Sequence, residues 1–197
     1  HAFGPSEERG VFMTADGGDT WKKVLYTDDR HGAADLDIDP LNPNILYAGM
    51  WLFDRKQWTF RSGDENGGVY RSTDGGLTWT RLTKGLPKLM GRLGIKVAPS
   101  SPNVVYVVAE TREGYVFRSD DHGDTWRKVS DNAHALGRGF YYADLRVDPQ
   151  NPDRVYTLGM AYSLSIDGGQ TFLPMTGNFH GDHQTMWIDP ANPKRLL

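Results

Sequence analysis

Cysteine is absent from the sequence, which excludes a disulfide framework, a thiol nucleophile and a thiolate metal site. No stretch approaches eighteen consecutive apolar residues, so insertion into a membrane as a helix is not expected. Neither sign of charge dominates. Lys and Arg number 22 against 25 Asp and Glu, for a net charge of −3, and nothing there favours a nucleic acid or an anionic membrane as partner. A charged-then-apolar leader is also missing after His1, which reads as a segment or a mature form whose targeting signal is absent. There is no nucleophile elbow, phosphate-binding glycine loop or zinc-protease helix motif.

What the 197 residues do contain is turn formers and rings: 23 Gly, 11 Pro and 12% aromatic residues. That balance fits a turn-rich all-β chain. A repeat organises it. Thr14–Trp21, Ser72–Trp79, Ser119–Trp126 and Ser165–Phe172 all fit Ser/Thr-x-Asp-x-Gly-x-Thr-Trp/Phe. Their aspartates, Asp16, Asp74, Asp121 and Asp167, lie 58, 47 and 46 residues apart. Apolar residues such as Val11, Val69, Val116 and Phe117 precede each box and a Gly-rich turn follows the Asp, which is the pattern of a β-hairpin. The carboxylate is expected to accept turn N–H groups, while Trp21, Trp79, Trp126 and Phe172 cover their own hairpins. These aspartates are therefore read as structural.

A second repeat interleaves with the first. Pro40, Pro99, Pro149 and Pro190 are each followed three residues later by another proline. Apolar residues alternate before each anchor, as in Leu36 and Ile38 or Leu93, Ile95 and Val97, and Tyr47, Tyr106 and Tyr156 stand seven residues after three of them. Period two on both sides of a proline turn means two strands. Each period thus holds four antiparallel strands, A and B around the proline turn and C and D around the Asp box.

Four strands per repeat of about 45 residues is the arithmetic of a β-propeller blade. The expected fold is all-β, one propeller segment over 1–197 with about four blades and incomplete terminal ones. Strands C and D of a first blade fall at about 10–26, complete blades at about 33–83, 92–130 and 143–176, and the start of a further blade at 184–197. Either the segment belongs to a longer propeller, or its terminal halves pair to close a four-bladed ring; the first is favoured because strand B barely begins before Leu197.

The boxes resemble the Asp-box, or BNR, repeat of sialidases, xyloglucan-active glycoside hydrolases, sortilin-type receptors and photosystem assembly factors. Combined with the Asp-Pro-x-Asn-Pro turn, as at Asp39–Pro43 and Asp148–Pro152, they most resemble secreted bacterial propellers of glycosyl-hydrolase-like or sortilin-like type. The stretch from His180 to Pro190 is similar to a His-rich strand entry of that group, with Gln184 where a further His is usual. The resemblance implies an extracytoplasmic location and either a carbohydrate-active or glycan-binding role, or a peptide-binding scaffold without catalysis. Arg-Ile-Pro is absent, which argues against a sialidase. The fold hosts both classes of function, so chemistry has to come from the site.

Loop lengths indicate where that site lies. From anchor proline to the next box Asp the distances are 34, 22 and 18 residues, so variation falls in the B–C and D–A connections, and variable loops on a rigid scaffold are where binding residues collect. Arg92, Tyr142 and His183 each stand seven residues before an anchor proline and are expected to ring the channel mouth. With Arg138, Tyr141, His180 and Trp58 they form the candidate set for a glycan or peptide ligand. Asp144, Asp182 and Glu110 are the candidate catalytic carboxylates for a glycosidase, which needs two facing a cleft. His180, Asp182 and His183 are the candidates for a metal trio; no metal and no cofactor is expected. Remaining blades of the same polypeptide are the other expected partner.

Overall fold

The computed structural model describes residues 4–175, 177 and 180–197; residue 176, the expected end of the third blade, lies outside them. Its strands run β1 (Val11–Met13), β2 (Lys22–Leu25), β3 (His31–Ile38), β4 (Leu46–Lys56), β5 (Thr59–Ser62), β6 (Gly68–Ser72), β7 (Thr80–Arg81), β8 (Leu93–Val97), β9 (Val105–Ala109), β10 (Val116–Ser119), β11 (Arg127–Ser130), β12 (Asp144–Asp148), β13 (Asn151–Leu158), β14 (Ser163–Ser165) and β15 (Leu173–Pro174), with one 3-10 turn at Ala133–Ala135. No helix among the described residues is long and apolar enough to cross a membrane.

Every strand pairing is antiparallel, and the sheets are blades. Three four-stranded orders occur, β3-β4-β6-β7, β8-β9-β10-β11 and β12-β13-β14-β15, after a two-stranded β1-β2 sheet. The fold is a β-propeller with about four blades, the terminal ones incomplete. Among the described residues the terminal halves do not join: β1 and β2 pair only with each other, and the last residues contribute an isolated bridge between Ile188 and Leu196. The four-bladed closure is not formed.

Period-two alternation builds the stack, because a blade has a neighbour on each face. All five residues of β9 are buried. Val105, Val107 and Ala109 face one way, into a cluster with Tyr47, Val69 and Leu82 of the preceding blade; Tyr106 and Val108 face the other way, with Leu145, Val147 and Val155 of the next. Strand A of each blade lies beside strand A of the next around the channel. Glycine at position 94 is required by that approach, since a Cβ there would stand 2.5 Å from the Ala143 carbonyl oxygen.

The box aromatics pack differently from expectation. Trp126 is 6% exposed, but it is buried in the cluster between its blade and the preceding one, as Phe172 is between the next pair. Trp79 is only partly buried, against the β1–β2 sheet. Trp21, on β1–β2 itself with no sheet before it among the described residues, is 61% exposed. A single hairpin offers one side of a ring a surface; the second side needs the neighbouring blade.

Candidate functional site

The mouth of the channel on the B–C and D–A face opens into a cleft of about 480 Å³. Its first wall comes from β4, which at 11 residues outruns the other B strands. The extra length pairs with β5, Phe53 opposite Ser62 and Lys56 opposite Thr59, and alternation puts Trp51, Phe53 and Arg55 on the cleft side. The opposite wall is the connection before β12. There Asn132 caps the 3-10 turn by accepting from the His134 N–H at 2.9 Å, and Arg138 takes φ of 57°. Its carbonyl then accepts from the Tyr141 and Tyr142 N–H groups at 2.8 and 3.0 Å, so Phe140, Tyr141 and Tyr142 turn into the cleft.

The two walls meet through rings. Centroid separations run 4.8 Å from Trp51 to Phe53, 5.6 Å to Phe60, 4.9 Å to Phe140, 5.6 Å to Tyr141 and 5.3 Å to Tyr142, all within the range of favourable edge and offset contacts. Trp51 is further fixed by its indole N–H, which donates to Ser62 Oγ at 2.9 Å, and that hydroxyl in turn donates to Glu110. Arg92 lies over the Trp51 ring at 5.5 Å. His183 completes the lining, its backbone N–H donating to the Gly159 carbonyl at 2.8 Å and its ring 5.7 Å from that of Tyr162.

Among the described residues two carboxylates line the cleft, and both are engaged. Asp35 accepts from Lys96 Nζ at 2.7 Å and from the Ile95 N–H at 2.8 Å. Asp144 accepts from Arg146 Nη1 at 2.6 Å and from the Leu145 N–H at 2.8 Å. Tyr142 is pushed above the ordinary phenol range by burial and by the Asp182 carboxylate that it hydrogen-bonds.

Of the residues singled out from sequence, Arg92, Tyr141, Tyr142, His183 and Asp144 line one cleft. The others are elsewhere. Arg138 is exposed and shapes the loop through its carbonyl. Trp58 is 80% exposed on the tip of the β4–β5 hairpin. Glu110 lies behind Trp51 beside a separate depression with Ser62, Gly63 and Arg112. His180 is exposed, and its Nδ1–H donates to the Gly181 carbonyl at 2.6 Å. Among the described residues no three His, Asp or Glu side chains stand together as a metal site; His180 spends its near nitrogen on the backbone, and the trio with Asp182 and His183 is not assembled. Trp51 and Phe53 were not singled out. Their signal was the alternation of rings continuing past Tyr47 through residue 53, which marks a strand longer than the blade requires.

A family model described as Sortilin-Vps10, "Sortilin, neurotensin receptor 3", matches residues 67–186. Xyloglucanase Xgh74A of Acetivibrio thermocellus is 32% identical over 77% of this chain and 20% of its own length. A probable oligoxyloglucan-reducing end-specific xyloglucanase of Neosartorya fischeri is 27% identical over 81% of this chain and 19% of its own. The chain therefore spans about a fifth of these curated relatives. Among solved structures, the GH74 xyloglucanase from Xanthomonas campestris superposes with a TM-score of 0.65 at 21% identity, covering 89% of this chain and 28% of that one. An ancestral GH74 enzyme gives 0.67 at 18%, covering 93% and 25%. At those identities the superpositions speak for the fold.

Proposed function

This chain belongs to the Sortilin-Vps10 family, of Asp-box propeller type, and from that premise we propose that it is a glycan-binding segment of a glycosyl-hydrolase-like protein acting outside the cytoplasm. The observation that carries the reading is the run of rings from Trp51 to Tyr142 around a cleft that also holds Arg92, His183, Asp35 and Asp144. Sugars present apolar C–H faces to rings and hydroxyls to fixed charges, and this cleft offers both. Tyr141 is the platform, at 48% exposed. Asp35 and Asp144, oriented by Lys96 and Arg146, retain lone pairs for sugar hydroxyls.

Xyloglucan oligosaccharides are the first probe, because the relatives' names specify that polymer. Isothermal titration should show binding that Tyr141→Ala weakens several-fold, as loss of about 1 kcal/mol of ring contact implies, with the melting temperature unchanged. Failure to bind any of a panel of neutral and acidic oligosaccharides, alongside binding of an extended peptide, would replace the glycan reading by the peptide-scaffold one.

A further inference from the structure

We propose that the cleft selects an acidic glycan and that Arg92 receives the carboxylate of a uronic acid unit. The proposal rests on the glycan-binding reading above and adds the charge of the ligand. It begins from the ion pairs of the cleft. Both lining carboxylates have cations, Lys96 for Asp35 and Arg146 for Asp144. The lining cations Arg92 and Arg55 have no carboxylate within ion-pair distance among the described residues. Among the lining side chains themselves what is left uncompensated is positive, while the Asp182 carboxylate outside the lining is engaged by the Tyr142 hydroxyl.

Arg92 is the residue where this matters. It is partly buried, its Nε is shielded from solvent with no hydrogen-bond partner, and its guanidinium rests on the Trp51 ring. A partly buried cation with no anion in ion-pair range carries a desolvation cost, which a ring face offsets only in part. A guanidinium centred 5.5 Å from that ring keeps its fork of N–H donors, the group suited to bidentate recognition of a carboxylate. A uronate carries that carboxylate in the plane of a pyranose whose faces suit the exposed Tyr141 ring.

The strand edges discriminate against an acidic peptide as occupant. A peptide adding to a propeller's inner strand needs free backbone N–H groups. Those of Ile95 and Val97 already donate to the Asp35 and Asp37 carboxylates at 2.8 and 2.7 Å, and those of Leu36 and Leu145 to Asp35 and Asp144 at 2.9 and 2.8 Å. These four N–H groups are occupied, whereas the Tyr141 ring is 48% exposed.

The test compares tetragalacturonate with the same oligomer after its carboxyl groups are reduced to alcohols, by titration calorimetry on the full chain. The acidic form should bind at least about tenfold more tightly, and its advantage should shrink as salt rises. Arg92→Met should abolish the preference, costing the acidic form at least about tenfold more affinity than the reduced one, and Arg92→Lys should restore part of it. Equal affinity of the two oligomers, or an equal loss of both in Arg92→Met, overturns the proposal and leaves the glycan reading standing. Tighter binding of a tetraglutamate peptide than of either sugar overturns it in favour of a peptide. Binding of neither sugar removes the glycan reading itself. Should Arg92→Met not fold, the oligomer comparison and salt series on the unsubstituted chain decide alone.

Discussion

At the scale of single residues, the Asp boxes show how one carboxylate organises a turn. Asp74 accepts from the Thr78 hydroxyl at 2.5 Å, from the Thr78 and Leu77 N–H groups at 2.9 and 3.0 Å, and from the Ser72 hydroxyl at 2.7 Å. Those bonds, the Thr78 hydroxyl foremost, hold its carboxyl at about 2 against an ordinary 3.8. Burial raises Asp121, but hydrogen bonds from Thr125 and Ser119 outweigh it and bring that group also to about 2. A carboxyl lowered by folding stabilises the native state fully above its unfolded value and loses that contribution as pH falls through the folded one. Urea midpoints should therefore stay level down to about pH 4 and fall between there and about pH 2. Asp74→Asn, which cannot titrate, should flatten part of that slope. A midpoint independent of pH across the window would mean the boxes contribute no linkage.

At the scale of elements, the same box in four hairpins meets three different surroundings: Trp126 and Phe172 are buried between blades, Trp79 is partly buried and Trp21 is exposed. Trp126 inserts into the cluster between two blades, its indole N–H donating to the Gly123 carbonyl at 2.9 Å. Trp126→Ala should cost about 3–5 kcal/mol in chemical denaturation, as for other buried aromatics. Trp21→Ala, at a ring 61% exposed, should cost well under half as much, and equal costs would contradict the inter-blade packing. The β4–β5 hairpin is the other element whose role depends on its neighbour. Its Phe60 is met by Phe140 from the connection before β12, so a ring on one connection holds the wall supplied by another.

At the scale of the whole molecule, adjacent blades are stapled on the face opposite the cleft. The Tyr47 hydroxyl and Arg71 Nη1 both donate to the His122 carbonyl, at 2.8 and 2.6 Å, and Arg71 pairs with Asp124 at 2.8 Å. One blade on, the Tyr106 hydroxyl donates to the Pro152 carbonyl at 2.8 Å and Arg118 pairs with Asp153. Burial pushes the Tyr106 hydroxyl up to about 12, against the opposing pull of Arg118. Because Tyr47 and Arg71 share an acceptor, Tyr47→Phe and Arg71→Met should not add. Each is expected to cost about 1 kcal/mol, with a coupling of at least about 0.5 kcal/mol in a double-mutant cycle. Strict additivity would show that the two donors act independently.

The sequence by itself determined the blade. Proline anchors and Asp boxes are local devices, in which side chains satisfy backbone groups two to four residues away, so spacing alone exposes them. It also brought Arg92, Tyr142 and His183 together, because equivalent positions of a repeat occupy equivalent places around an axis. Only the tertiary structure decided the rest. Whether a box aromatic is buried depends on the next sheet, which no hairpin contains. That Asp144 is tied to Arg146, that Glu110 supports Trp51 through Ser62 from outside the cleft, and that His180 turns to its own backbone are consequences of contacts or local rotations with no periodic signal. The Arg92 charge stands without a counter-ion among the described residues for the same reason: pairing is settled by distances across blades, and register places a residue at the channel mouth without saying which neighbour reaches it.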